Sequence, residues 1–130
     1  MQGILSGKRV LIVEDEGIIA LQLRKCLARL GCIVTDIARD GESGVEAVLR
    51  ERPDLVIVDN GLPGISGIEA AKRILASYDV CVVMLSGGTA EDDEMRAVDV
   101  GICAYLIKPL ASFILVENLE QAFYTYRLGK

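Results

Sequence analysis

Five short β-branched runs alternate strictly with five longer segments of helical period along this 130-residue chain, and that rhythm limits its fold more than any other feature. The runs are Arg9–Glu14 (RVLIVE), Cys32–Ala38 (CIVTDIA), Asp54–Asp59 (DLVIVD), Val80–Leu85 (VCVVML) and Cys103–Ile107 (CAYLI). Between and after them the spacing predicts helices over Gly17–Leu30, about Glu42–Glu51, Ile65–Ala76, Ala90–Val100 and Ser112–Leu128. In the first helix Ile18, Leu21, Leu23, Leu27 and Leu30 are expected to share one apolar face, with Gly31 as its stop. Strands joined through helices run parallel, so the chain is expected to be an α/β protein: a doubly wound five-stranded parallel sheet flanked by five helices. With 52% hydrophobic residues, residues 1–130 are read as one domain with a core of about 8–128 and no output domain.

The stretch LVIVDNGLPG, Leu55–Gly64, tests this reading. Asn60-Gly61 normally signals a tight hairpin, which would make Asp59 a turn residue. The element that follows has helical period, so no returning strand is available and the hairpin fails. Asp59 then sits at the carboxyl end of the third strand, where ligands of doubly wound sheets bind.

Other strands end in similar groups. Glu14, Asp15 and Glu16 close the first, Ser86 the fourth and Lys108-Pro109 the fifth, while the second ends in the blander Ala38-Arg39-Asp40. Carboxylates clustered in this way repel one another unless a cation intervenes, and their hard oxygens suit Mg²⁺. A hydroxyl and an ammonium on the same rim would then face an anion such as phosphate. An aspartate so placed can act as a nucleophile toward phosphorus. Each residue also has a plain reading: Asp15 as a helix N-cap, Ser86 as a loop hydroxyl, Lys108 as a solvated lysine, Asp59 as the end of a strand. It is their convergence from four strands that favours chemistry.

Composition narrows the classes. The chain has no histidine, which removes Ser-His and Cys-His nucleophilic pairs, and its net charge of -5 without a basic run argues against direct nucleic-acid binding. Cys26, Cys32, Cys81 and Cys103 form no C-x-x-C pair and are read as reduced core residues, not metal ligands. No stretch approaches the roughly 18 apolar residues of a membrane span, and no secretory cleavage pattern precedes the first strand, so a cytoplasmic protein is expected.

With these residues in place, the chain resembles the receiver domain of two-component response regulators from Lys8 to Leu128. The matching motifs are VLIVEDE (Val10–Glu16), DLVIVDNGLPGISGIEA (Asp54–Ala70), VVMLSGG (Val82–Gly88) and AYLIKPL (Ala104–Leu110). The resemblance implies a flavodoxin-like sheet of order 2-1-3-4-5. It also implies a switch, not an enzyme acting on other molecules, that assists its own phosphorylation and dephosphorylation. Asp59 matches the phospho-acceptor, Glu14 and Asp15 the acidic pair, Ser86 the switch hydroxyl, Lys108 the phosphate-pairing lysine and Tyr105 the switch aromatic. Asp15, Asp59 and the backbone carbonyl of Gly61 would ligate Mg²⁺, with Glu14 acting through a water, and Pro109 matches a proline usually preceded by a cis bond. The implied partners are a sensor histidine kinase or phosphotransfer protein and a downstream protein, with a second copy as a candidate for the Ala90–Leu128 face.

Three departures stand out. Ser86 replaces a more frequent threonine, Asn60 replaces an apolar residue, and Gly61 with Gly87-Gly88 leaves the rim beside the phosphate bare. That bareness suggests ready access for water and a short-lived phosphorylated state. The stretch Ser86–Asp93 is the longest loose segment and a candidate mobile one. Four of six aromatics, Phe113, Phe123, Tyr124 and Tyr126, fall on the last helix. Phe123 and Tyr126 are expected to share its buried face, leaving Phe113 and Tyr124 as candidate contacts. Competing readings are a flavodoxin-like redox carrier, an aspartate-nucleophile phosphatase and a phosphorylation-independent pseudo-receiver. Glu14-Asp15-Glu16 would repel a flavin phosphate, Gly61 stands where the phosphatase needs a second aspartate, and the complete acidic set argues against the third.

Overall fold

Branched side chains pack well on a pleated surface covered from both sides, which is why the Val- and Ile-rich runs become strands. In a computed structural model, described for residues 3–87 and 91–130 and for side chains of the second stretch from 95 onward, five strands and five helices alternate. They are β1 (Arg9–Val13), α1 (Gly17–Arg29), β2 (Ile33–Ala38), α2 (Gly41–Glu51), β3 (Leu55–Asp59), α3 (Gly67–Ser77), β4 (Cys81–Ser86), α4 (Glu91–Val100), β5 (Ala104–Ile107) and α5 (Ser112–Leu128). All pairings are parallel and the strand order is β2-β1-β3-β4-β5, the doubly wound order expected.

Successive residues of the central strands serve opposite faces. Val10, Ile12, Ile57 and Val83 meet Leu27 and Leu119 of α1 and α5 in one layer; Leu11, Val58, Val82 and Met84 meet Val48, Ile74 and Ala97 of α2, α3 and α4 in the other. A fully buried Leu, Ile or Val side chain contributes about 1.5–3 kcal/mol, so these two layers hold the central strands firmly. β3 is buried along its whole length, and Asp59 is its last residue.

The boundaries shift by a residue or two, and some expectations change. β1 ends at Val13, leaving Glu14 just beyond it, whereas β4 takes in Ser86. Of the loose stretch Ser86–Asp93, Ser86 is strand and residues 91–93 are helix; Gly88 and Ala90, the expected helix start, lie outside the described residues. In α1 the phase is set by Ala20, Leu23, Cys26 and Leu27. Ile18, about 200° around the helix from Ala20, is 76% exposed, and Leu21 is 50% exposed. Cys26, Cys32 and Cys81 are core residues as expected; Cys103 is exposed, because it precedes β5 at the sheet edge. On α5, Phe123 is buried and stacks on Tyr126 at 6.4 Å, while Phe113 and Tyr124 face outward. Among the described residues no helix is long and apolar enough to cross a membrane.

Candidate functional site

The β1–β3 ladder pairs Val13 with Val58, so the next residues, Glu14 and Asp59, leave the sheet side by side. Both are buried, and one carboxylate oxygen from each of them and one from the exposed Asp15 lie within 4.8 Å of one another. Lys108, one residue beyond β5, places its Nζ 3.2 Å from Asp59 Oδ1 and 3.4 Å from Glu14 Oε1. Its own N–H donates to the Ser86 carbonyl at 2.7 Å, and the Lys108–Pro109 bond is cis. Ser86 is buried at the end of β4, one step past the Asp59–Leu85 pair. The Gly61 N–H donates to Asp59 Oδ1 at 3.3 Å.

Asp15 does not cap α1. The N-cap is Glu16, which makes no side-chain capping bond, so the bland reading of Asp15 has no support here. Tyr105 is half-buried on β5 and packs against the layer formed by α2, α3 and α4; its hydroxyl is buried without a hydrogen-bond partner among the described residues.

Asn60, Ser66 and Gly67 carry more of the local architecture than their sequence context reveals. Asn60 Oδ1 accepts from the Ile68 N–H at 3.3 Å and its carbonyl accepts from the Gly67 N–H at 3.1 Å, so the polar residue beside Asp59 ties β3 to the start of α3. Ser66 completes that start by capping the Glu69 N–H at 3.1 Å. Gly67 lets α3 approach so closely that a Cβ there would overlap the Asp59 carbonyl oxygen and lie 2.7 Å from Asn60 Cα. Ser66-Gly67 could be read as a helix start, but no sequence pattern reveals what lies against the missing Cβ.

The electrostatics follow from three carboxylates facing one ammonium. Burial raises the Glu14 pKa to about 7; the Glu16 N–H opposes this, Asp59 adds to it and Lys108 lowers it. For Lys108 burial alone would lower the pKa, but the charges of Asp59 and Glu14 together hold it above the usual lysine value. An all-oxygen donor set with uncompensated negative charge fits a hard divalent cation.

A pH dependence arises here. Because folding raises the Glu14 pKa from 4.5 to about 7, its contribution to stability is present below pH 4.5 and lost as pH rises to about 7. Without divalent metal, the melting temperature is expected to fall across that window in the native chain and to fall less in Glu14→Gln. Parallel curves for the two proteins would contradict this assignment.

A family profile described as the response regulator receiver domain matches residues 10–120. The chain belongs to that family. Among similar proteins, the transcriptional regulatory protein PdtaR of Mycobacterium tuberculosis is 37% identical over 120 residues, covering 92% of this receiver and 58% of PdtaR. The transcriptional regulatory protein CseB of Streptomyces coelicolor is 34% identical over 111 residues, covering 85% of the receiver and 47% of CseB. The receiver thus spans about half the length of these relatives. The crystal structure of the signal receiver domain of a modulated diguanylate cyclase from Desulfovibrio desulfuricans superposes with a TM-score of 0.87 at 32% identity, covering 96% of this chain and all of that one. The chain is therefore a receiver domain of the two-component response regulator type.

Proposed function

We propose that this receiver is a cytoplasmic, Mg²⁺-dependent phosphorylation switch in which Asp59 accepts a phosphoryl group from a sensor histidine kinase or phosphotransfer protein. The observation that carries the proposal is the convergence of Glu14, Asp15 and Asp59 carboxylates within 4.8 Å, with Lys108 Nζ 3.2 Å from Asp59 Oδ1.

Asp15, Asp59 and the Gly61 carbonyl would hold the metal, with Glu14 acting through a water. When bound, the cation neutralises negative charge on the phosphoryl oxygens and on the carboxylates around them. An Asp59 carboxylate oxygen attacks phosphorus in line with the bond to the donor imidazole; the P–O bond forms as the P–N bond breaks. Lys108 supplies a fixed positive charge to the phosphoryl oxygens, and the Ser86 hydroxyl donates a hydrogen bond to one of them. The new group brings close to two negative charges. Ser86 is drawn toward it and Tyr105, whose hydroxyl has no hydrogen-bond partner among the described residues, fills the space released. The surface formed by α4, β5 and α5 then favours a downstream protein or a second copy.

Transfer from acetyl phosphate tests the metal requirement. One phosphoryl group should be gained with Mg²⁺ and none with excess chelator; equal gain in both would contradict the proposal.

The bare rim yields a second expectation. A Cβ on Gly61 would meet nothing nearer than Asp59 Oδ2 at 3.9 Å, so the first atom of a side chain has room there. Gly61→Leu is expected to shield the acyl phosphate from water and lengthen its lifetime severalfold. An unchanged dephosphorylation rate would show that Gly61 does not set the lifetime.

A further inference from the structure

At the end of β4 and β5 remote from Asp59, two cysteines meet. Cys81 opens β4 and is fully buried, while Cys103 immediately precedes β5 and is exposed. The Cys103 N–H donates to the Val82 carbonyl at 2.8 Å, which sets Cys103 beside Val82 and within one residue of Cys81 on the neighbouring strand. The Cys81 thiol and the Val82 backbone both act on the Cys103 sulfur. Lys130, paired with Asp79 at 2.5 Å, adds positive charge nearby.

A sulfur that reaches solvent beside a second thiol and near a lysine is suited to carry negative charge. The neighbouring Cys81 thiol has the largest influence and draws the Cys103 thiol down to about 7; burial raises it, Val82 and Lys130 lower it, and Asp79 raises it. Cys81 is pushed far upward. Cys26 and Cys32 lie in the core, where burial raises both thiols, Cys32 to about 11. The chain therefore carries its own unreactive comparison.

We propose that Cys103 is a modification site for hydroperoxides, with Cys81 as its resolving thiol. The Cys103 thiolate attacks one oxygen of hydrogen peroxide, forming an S–O bond as the O–O bond breaks. The departing hydroxide recovers the proton that Cys103 lost on ionisation and leaves as water. Cys81 sulfur then attacks Cys103 sulfur; an S–S bond forms, the S–O bond breaks, and the leaving hydroxide takes the Cys81 proton as a second water. Two thiols are oxidised by two electrons and one peroxide is reduced.

The test treats the full chain with hydrogen peroxide near neutral pH, alkylates the remaining thiols under denaturing conditions, and maps peptides. A linked Cys81–Cys103 peptide is expected, with Cys26 and Cys32 still alkylated and Cys103 consumed at least about tenfold faster than Cys32. In Cys81→Ala, Cys103 should stop at sulfenic acid and be captured by dimedone; in Cys103→Ser, Cys81 should remain alkylatable. Absence of the linked peptide, preferential oxidation of Cys26 or Cys32, or loss of the Cys81 thiol in Cys103→Ser at the native rate would overturn the proposal.

Discussion

Replacing Lys108 by alanine is expected to slow phosphorylation from acetyl phosphate by about 10²–10³-fold, the usual effect of removing one group aimed at charge that develops in a transition state. The same change should destabilise the metal-free protein. Lys108 Nζ is the cation within 3.4 Å of both Asp59 and Glu14, and without it two buried carboxylates face each other. Breaking a fully buried pair costs about 3–5 kcal/mol, but the Lys108 side chain retains 19% exposure, so roughly 1–3 kcal/mol is expected. Urea unfolding measures that loss, and saturating Mg²⁺ should shrink it. Lys108→Arg restores charge without the compact ammonium, and should recover stability more fully than rate. A phosphorylation rate within twofold of native in Lys108→Ala would remove Lys108 from the proposed chemistry.

Gly67→Ala is expected to damage both fold and site, although alanine is the better helix former by up to about 1 kcal/mol. The opposing cost arises from what the methyl group meets. Its nearest neighbours are the Asp59 carbonyl and Asn60 Cα, backbone atoms at the end of β3, the strand that carries the proposed acceptor. Overpacking against groups that cannot swing away costs about 1–3 kcal/mol, so the clash should win. A lower unfolding midpoint is expected together with a fall in phosphorylation rate at temperatures where the variant remains folded. The second readout matters, because a purely structural role would leave the rate of the folded fraction unchanged. Gly61→Leu, two residues from Asp59 but with room for a Cβ, serves as the contrasting substitution.

The two predictions differ in how far sequence alone could lead. Lys108, Asp59 and Glu14 are legible as rim residues because β-branched runs set between segments of helical period locate strand ends within a residue or two, and parallel topology brings those ends together. Gly67 is not, because its importance lies in a close approach between α3 and the end of β3 that no periodicity encodes. Asn60 was noticed as a departure, yet its capping of Ile68 depends on the path of the chain between β3 and α3. The α1 face was misjudged at Ile18 and Leu21 because apolar character was counted without fixing the helix phase, which Ala20 and Cys26 help set by packing on the sheet. Cys103 was assigned to the core on residue type, whereas its position just ahead of an edge strand exposes it.

The proposed switch stands on Asp59 as the nucleophile toward phosphorus. Intact-mass measurement of the native chain and of Asp59→Ala, each incubated with Mg²⁺ and acetyl phosphate, tests it most directly. One phosphoryl group should be gained by the native protein and none by the variant. No gain in the native chain, or equal gain in both, would contradict it.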